Sequence, residues 1–345
     1  MIELTEKIIT VAQVSLPVDE KLKIQKHRIM PDGASESDER AFEKSGKRIS
    51  VVTGIHGDEL EGQFVCYELS RRIRENPDCL NGIVDIYPAM NPFGIDSLTR
   101  GIPAFDLDMN RIFPGNDSGD MNEFLASRIM RDLEGSALCL DIHASNIFLT
   151  EVPQIRINTV HKDTLLPYAL CSNVDFVWVH GASTVLESTL AYSLNSRSVK
   201  TLVVEMGVGM RITREYGTQL TDGIFSLMKK LGLWTGEVAP VKTPVVSNDE
   251  SGNDVCYLNA PCSGVFIKEK THGSPVKKGE KIGTIVNPLT GETLSEITAE
   301  ESGWLFTIRE YPIVDEGSLL GRGLKQDVGR SSPAAVLHSL TLGLS

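Results

Sequence analysis

Three short segments of this chain place metal-binding or proton-transferring side chains directly after apolar, β-type runs. In Gly54-Ile55-His56-Gly57-Asp58-Glu59, an imidazole and a carboxylate follow a run that ends at Thr53. On a turn leaving a strand, that spacing can aim both side chains at one ion. In Leu140-Asp141-Ile142-His143-Ala144-Ser145, a second histidine ends another apolar run. Two imidazoles and one carboxylate make the open three-donor set of a catalytic zinc site, with the fourth position left for water. The third segment, Val203-Val204-Glu205-Met206-Gly207, ends on a glutamate, a natural general base for water held by such a metal.

Taken singly, each residue has a plainer reading. His56 suits a turn, and Glu59 suits a helix N-terminus, where the macrodipole favours an acid. His143 suits a hydrogen-bonded core position, and Glu205 a strand end paired with a cation. Their shared placement at the ends of apolar strands favours the metal site. Asp141 lies two residues before His143, hence on the same strand face, where it could orient a ligand or serve as a buried structural acid. A long connection, Ser97–Gly101 and Phe105–Gly115, adds Arg100, Asn110 and Arg111. An arginine beside a metal can grip a substrate carboxylate with two hydrogen bonds or stabilise an oxyanion. The plain alternative is a surface pair with Asp106 or Asp108. Arg156 could add a substrate contact, but the plain surface reading is the stronger. His161, His180, His272 and His338 form no pattern and read as structural or exposed.

The elements that must position these residues alternate between two periods. Short β-branched runs occur at 49–53, 83–87, 137–142, 174–179 and 201–204. Helical spacing of apolar residues occupies 61–73, 122–133, 185–194 and 220–231. This rhythm predicts an α/β fold with a sheet covered on both faces. Before it, residues 1–30 alternate as strands, and Pro31–Lys47 reads as a polar surface loop. From Gly236 to Asn253 the composition turns to proline, serine and charge, the mark of a domain edge. Beyond lies a weak repeat, in which 260–266 recurs at 299–305 and 275–283 at 312–320. Glycine-punctuated short strands repeated twice predict a small β-barrel or sandwich. This part resembles the lipoyl/biotinyl hammerhead barrel. The hairpin tip Asn287–Glu292 lacks the lysine of a carrier, so a structural or lid role is expected. The expected division is a catalytic domain at 1–238, the barrel at 239–330 and a tail at 331–345.

Composition bounds the function. The chain has 345 residues, with 34 Lys+Arg against 46 Asp+Glu and a net charge of −12. That balance disfavours nucleic acid and anionic membrane surfaces as partners. No run approaches the ~18 apolar residues of a membrane span, and Met1–Lys7 lacks a signal-peptide pattern. Six cysteines without C-x-x-C spacing suit reduced thiols, so a cytoplasmic location is expected.

In order, G-x-H-G-D-E, D-x-x-x-N-R-x-F-P-G, D-I-H and V-V-E-M-G resemble the succinylglutamate desuccinylase/aspartoacylase family, of the zinc carboxypeptidase-like superfamily. The resemblance covers roughly Ile49–Gly207. It implies a mixed sheet flanked by helices and one Zn²⁺ per subunit held by His56, Glu59 and His143. It implies that Asn110 and Arg111 grip the substrate carboxylate, that Arg100 polarises the scissile carbonyl and that Glu205 is the catalytic glutamate. Some family members close the pocket with a tyrosine from the C-terminal domain, and Tyr311 is the only tyrosine in the second half of the barrel. The expected activity is zinc-dependent hydrolysis of the amide bond of an N-acyl amino acid or related small carboxylate. The alternatives are a metallocarboxypeptidase acting on peptides and a binding protein with a vestigial metal site. A homo-oligomer is compatible with the sequence.

Overall fold

The computed structural model describes residues 3–103, 105–181, 187–249 and 254–325. An N-terminal hairpin, β1 (Thr5–Ser15) and β2 (Lys21–Met30), leads through α1 (Glu36–Lys44) into the alternating region. There follow β3 (Arg48–Thr53), α2 (Glu61–Glu75), β4 (Ile83–Tyr87) and α3 (Pro92–Ser97). Next come α4 (Met121–Leu133), β5 (Leu138–His143), β6 (Leu149–Asn158), α5 (Lys162–Ala169) and β7 (Phe176–His180). Then α6 (Leu190–Ser196), β8 (Thr201–Gly207) and α7 (Arg214–Lys230) complete this part. The C-terminal part holds β9 (Val245–Asp249), β10 (Val255–Asn259), β11 (Gly264–Lys268), β12 (Ser274–Val276) and β13 (Lys281–Asn287). It ends with β14 (Glu292–Thr298), β15 (Gly303–Arg309), β16 (Ile313–Val314) and β17 (Leu319–Lys325).

A 13-stranded mixed sheet runs in the order β1-β2-β4-β3-β5-β8-β6-β15-β17-β10, with β7, β9 and β12 paired off this path. β3 is parallel to β4 and β5, and β5 to β8. Such strands are buried on both faces, and their near-continuous apolar runs follow from that. Alternation sends Val51 to one layer with Val65 and Leu69 of α2 and Ile224 of α7. It sends Val52 to the other with Leu125 and Ile129 of α4 and Leu194 of α6.

The repeat in the C-terminal part is a strand exchange. β10 pairs with β17 and β14 with β13, while β12 pairs with β15 and β16 with β11. Each half thus completes the other, around a core of Phe266, Ile282, Ile285, Leu305 and Ile308. The hydrogen-bond ladder does not stop between the two parts. β15 adds to β6 in antiparallel register, so strands of 303–309 and 149–158 share one sheet.

The structure differs in detail from these expectations at four points. Within Pro31–Lys47, α1 forms because Ser35 and Asp38 build a reciprocal capping box, although the helix buries no residue. β6 lacks a strand signature in the sequence because buried Glu151 and Gln154 and the half-buried Arg156 interrupt its apolar pattern. The proline- and charge-rich segment expected to mark a domain edge contains β9, which extends the sheet beside β7. The helical pattern of 185–194 becomes α6 only from Leu190, capped by Thr189, and 182–186 lie outside the described residues, as does the 331–345 tail.

Candidate active site

Parallel pairing brings the carboxyl ends of β3, β5 and β8 to one edge of the sheet, where α/β folds bind ligands. His143 and Glu205 are register partners on adjacent strands, so their side chains leave the same face. Asp141 and Val203, two residues earlier on each strand, share that face. Past β3 the chain turns through Gly54–Gly57 and then enters α2. A Cβ on Gly57 would sit 1.9 Å from the carbonyl carbon of Gly94, so only glycine lets this turn lie against α3. Gly207 ends β8 at φ +66°, and its missing Cβ leaves room for the buried Glu61 carboxylate. Glu61 in turn accepts from the Thr213 amide at 2.7 Å and hydroxyl at 2.8 Å, fixing the loop after Glu205.

His56 Nδ1 lies 2.7 Å from Glu59 Oε1, and His143 Nδ1 lies 2.9 Å from Glu59 Oε2. The ligand atoms of the three residues all fall within 4.8 Å of one another, and all three side chains are buried. Behind each ring stands another carboxylate. His56 Nε2 is 3.1 Å from Asp108 Oδ1, and His143 Nε2 is 3.1 Å from Asp141 Oδ1. A carboxylate behind an imidazole fixes its orientation and directs the other nitrogen forward. Burial pushes the Glu59 carboxyl up, but the two imidazoles outweigh it and hold the group well below the usual range. Burial pushes both imidazoles down, yet Glu59 at His56 and Asp141 at His143 raise them above it. Two nitrogens and one carboxylate converging in this way fit the donor set of a catalytic zinc.

Arg100 donates to Glu59 Oε1 at 2.9 Å and approaches Asp108 Oδ2 at 3.4 Å. Asn110 Oδ1 accepts from the Leu190 amide at 2.8 Å, which pins the connection to α6 and leaves its Nδ2 for a ligand. Arg111 donates to the Asn110 carbonyl at 2.8 Å. All three line a cavity of about 220 Å³, together with His56, His143 and Glu205. Burial raises the Glu205 carboxyl above the usual range despite the opposing charges of Arg156 and His143.

Residues 45–231, more than half of the chain, match the succinylglutamate desuccinylase/aspartoacylase catalytic domain. The chain belongs to this family. Family members are deacylating hydrolases acting on amides. An N-α-acetyl-L-2,4-diaminobutyric acid deacetylase of Halomonas elongata is 27% identical over 282 residues, 77% of this chain and 78% of the relative. The product-bound structure of an ectoine utilization protein of Ruegeria pomeroyi superposes with a TM-score of 0.76 at 18% identity, covering 94% of this chain and 95% of that one. A succinylglutamate desuccinylase of Silicibacter sp. gives a TM-score of 0.77 at 22% identity, with 93% and 95% covered. These likenesses match the α/β fold with its second, four-stranded sheet near the C-terminus.

Of the seven residues singled out for metal, substrate or catalysis, six line the cavity, and Glu59 lies between the two histidines. Tyr311 does not line the cavity. It is about half exposed and its ring stands 5.7 Å from Phe148. Asp108 was visible in the sequence only as a partner for surface arginines. Arg156, Asn158, His161, His180 and Tyr192 also line the cavity, which favours the substrate-side reading of Arg156 over the surface one. The first two belong to β6, whose interrupted apolar pattern gives no local sign that they reach the strand ends.

Proposed function

We propose that this protein is a zinc-dependent amidohydrolase that removes an acyl group from a small N-acyl amino acid. The observation that carries the reading is the convergence of His56 Nδ1 and His143 Nδ1 on Glu59 at the floor of a cavity that Glu205 also lines. Charge supports it. Metal-binding imidazoles are neutral. Glu59, Asp108 and Asp141 then stand directly at the two rings, a carboxylate-rich setting that suits a divalent cation. A bound zinc supplies an activated water and a Lewis acid for the carbonyl oxygen.

The chain's own groups supply the rest. Glu205 takes a proton from the attacking water and returns it to the departing amine. Its raised affinity for protons suits both steps. Arg100 faces the developing oxyanion. Asn110 Nδ2 and the Arg111 guanidinium hold the substrate carboxylate, so the amide arrives in register. A cavity of about 220 Å³ suits a small acyl-amino acid better than a peptide. The name of the deacetylase relative supports trying an N-acetyl amino acid with a second amino group first.

The test is amine release from a panel of N-acetyl and N-succinyl amino acids beside short peptides. Acyl-amino acids should be hydrolysed, chelation should abolish turnover and zinc should restore it. Peptide hydrolysis without deacylation would overturn the substrate class.

A further inference from the structure

The general base assigned above is not held by the alternating α/β part alone. β6 pairs with β8 along one edge and with β15 along the other, and Glu151 is in register with both Gly207 and Thr307. Glu151 is fully buried. A buried carboxylate is costly unless surrounded by donors, and four side chains surround this one. Gln154 Nε2 donates at 2.7 Å and Arg156 Nη2 at 2.8 Å to Oε2. Thr307 Oγ1 donates at 3.2 Å and Arg322 Nη1 at 2.6 Å to Oε1. Thr307 and Arg322 belong to β15 and β17, the C-terminal strands. The second arm of the same Arg156 guanidinium, Nη1, lies 3.1 Å from Glu205 Oε1. Trp178 of β7 carries both guanidiniums on its ring, with centroid distances of 5.6 Å for Arg156 and 5.8 Å for Arg322. Two cations and two anions alternate from Arg322 through Glu151 and Arg156 to Glu205.

We infer that the C-terminal β-structure positions the catalytic base: Arg322 and Thr307 fix Glu151, Glu151 fixes Arg156, and Arg156 holds the Glu205 carboxylate towards the cavity. The inference rests on Glu205 being the base. Arg322, Thr307 and Glu151 are positioning residues that act through Arg156. A guanidinium is planar, and engaging one edge with Glu151 sets where the other edge can point. Without that engagement, Arg156 can swing and Glu205 loses a fixed orientation while the substrate-carboxylate grip at Asn110 and Arg111 is untouched. The expected signature is a fall in kcat with little change in KM.

The experiment measures kcat, KM and bound zinc for the full-length holoenzyme and its Arg322→Met, Arg322→Lys, Thr307→Val and Glu205→Gln variants, with an N-acetyl amino acid that the wild type hydrolyses. Arg322→Met should lower kcat roughly tenfold to a hundredfold with KM within about threefold and zinc unchanged, as expected for lost orientation at the reacting centre. Arg322→Lys should recover part of the loss, because it restores a cation to Glu151. Should Arg322→Met fail to fold, Thr307→Val carries the test with a kcat loss of about threefold, the scale of one hydrogen bond. Wild-type kcat in the folded Arg322 variants, or in Thr307→Val where that variant carries the test, overturns the inference. So does a raised KM at unchanged kcat, which would assign Arg156 to substrate binding. If Glu205→Gln also turns over fully, the underlying base assignment fails; if Glu205→Gln is inactive while the Arg322 variants are normal, only the positioning chain fails.

Discussion

β3 begins and ends in buried charge, and the two ends differ in kind. At its start, Arg48 Nε lies 2.9 Å from Asp85 Oδ2, beside Arg28 at 2.7 and 2.6 Å from the two oxygens of the same carboxylate. Lys26 reaches Asp85 at 3.2 Å and Asp132 at 2.8 Å, and Tyr87 donates to Asp132 at 2.6 Å. Cations and carboxylates close on one another there, and none of these residues lines the cavity. Past its other end, two imidazoles share Glu59 with Asp108 and Asp141 behind them, and the cluster faces an open cavity. Buried charge alone therefore does not mark function in this fold. What sets the proposed site apart is that its buried charge opens onto a cavity.

The largest effect is expected at the open end. Glu205→Gln should lower kcat about a thousandfold, the middle of the range for a general base, while the unfolding midpoint and zinc content stay put. Turnover at the wild-type rate would remove Glu205 from the chemistry. At the closed end the effect should be on stability. Asp85→Asn leaves Arg28, Arg48 and Lys26 without their shared counter-ion and should cost roughly 3–5 kcal/mol in urea unfolding, with KM unchanged in the folded fraction. A loss below about 1 kcal/mol would show that the cluster is dispensable.

How far the sequence reveals this difference depends on spacing. The strand-end residues His56, Glu59, His143 and Glu205 stand out because each follows an apolar run of five or so residues, and sheet topology then brings the ends together. Arg28, Arg48 and Asp85 do not stand out, because charged residues inside strands look like solvent-facing positions until the neighbouring strand is known. β6 fails for the same reason. Its Glu151 accepts from Thr307 of β15 and Arg322 of β17, 156 and 171 positions away, and Gln154 and Arg156 donate to that same carboxylate. The strand exchange of the C-terminal part is legible as a repeat, but its junction with β6 leaves no local signal.

Two smaller effects sharpen the contrast. Arg111→Met should raise KM about tenfold to a hundredfold while kcat changes less, the cost of a charged hydrogen bond to a substrate carboxylate. A kcat loss at constant KM would instead place Arg111 at the reacting centre. The smallest effect is a pH dependence of stability at the closed end. Burial pushes the Asp85 carboxyl up, but the Arg28 hydrogen bonds and the charges of Arg48 and Lys26 hold it below its ordinary value. A carboxyl depressed by folding adds stability above its unfolded pKa and loses it as pH falls. The contribution should be constant above about pH 5 and decline below about pH 4. In Asp85→Asn this acid step should shrink, and an unchanged acid limb of the urea midpoint would contradict the assignment.

The most direct measurement is the zinc content of protein purified after growth with ample zinc, for the wild type, Glu205→Gln and His143→Ala. The account predicts about one zinc per chain in the first two and less than about a tenth in the third. Less than about a tenth in the wild type, or equal zinc in His143→Ala, would contradict it.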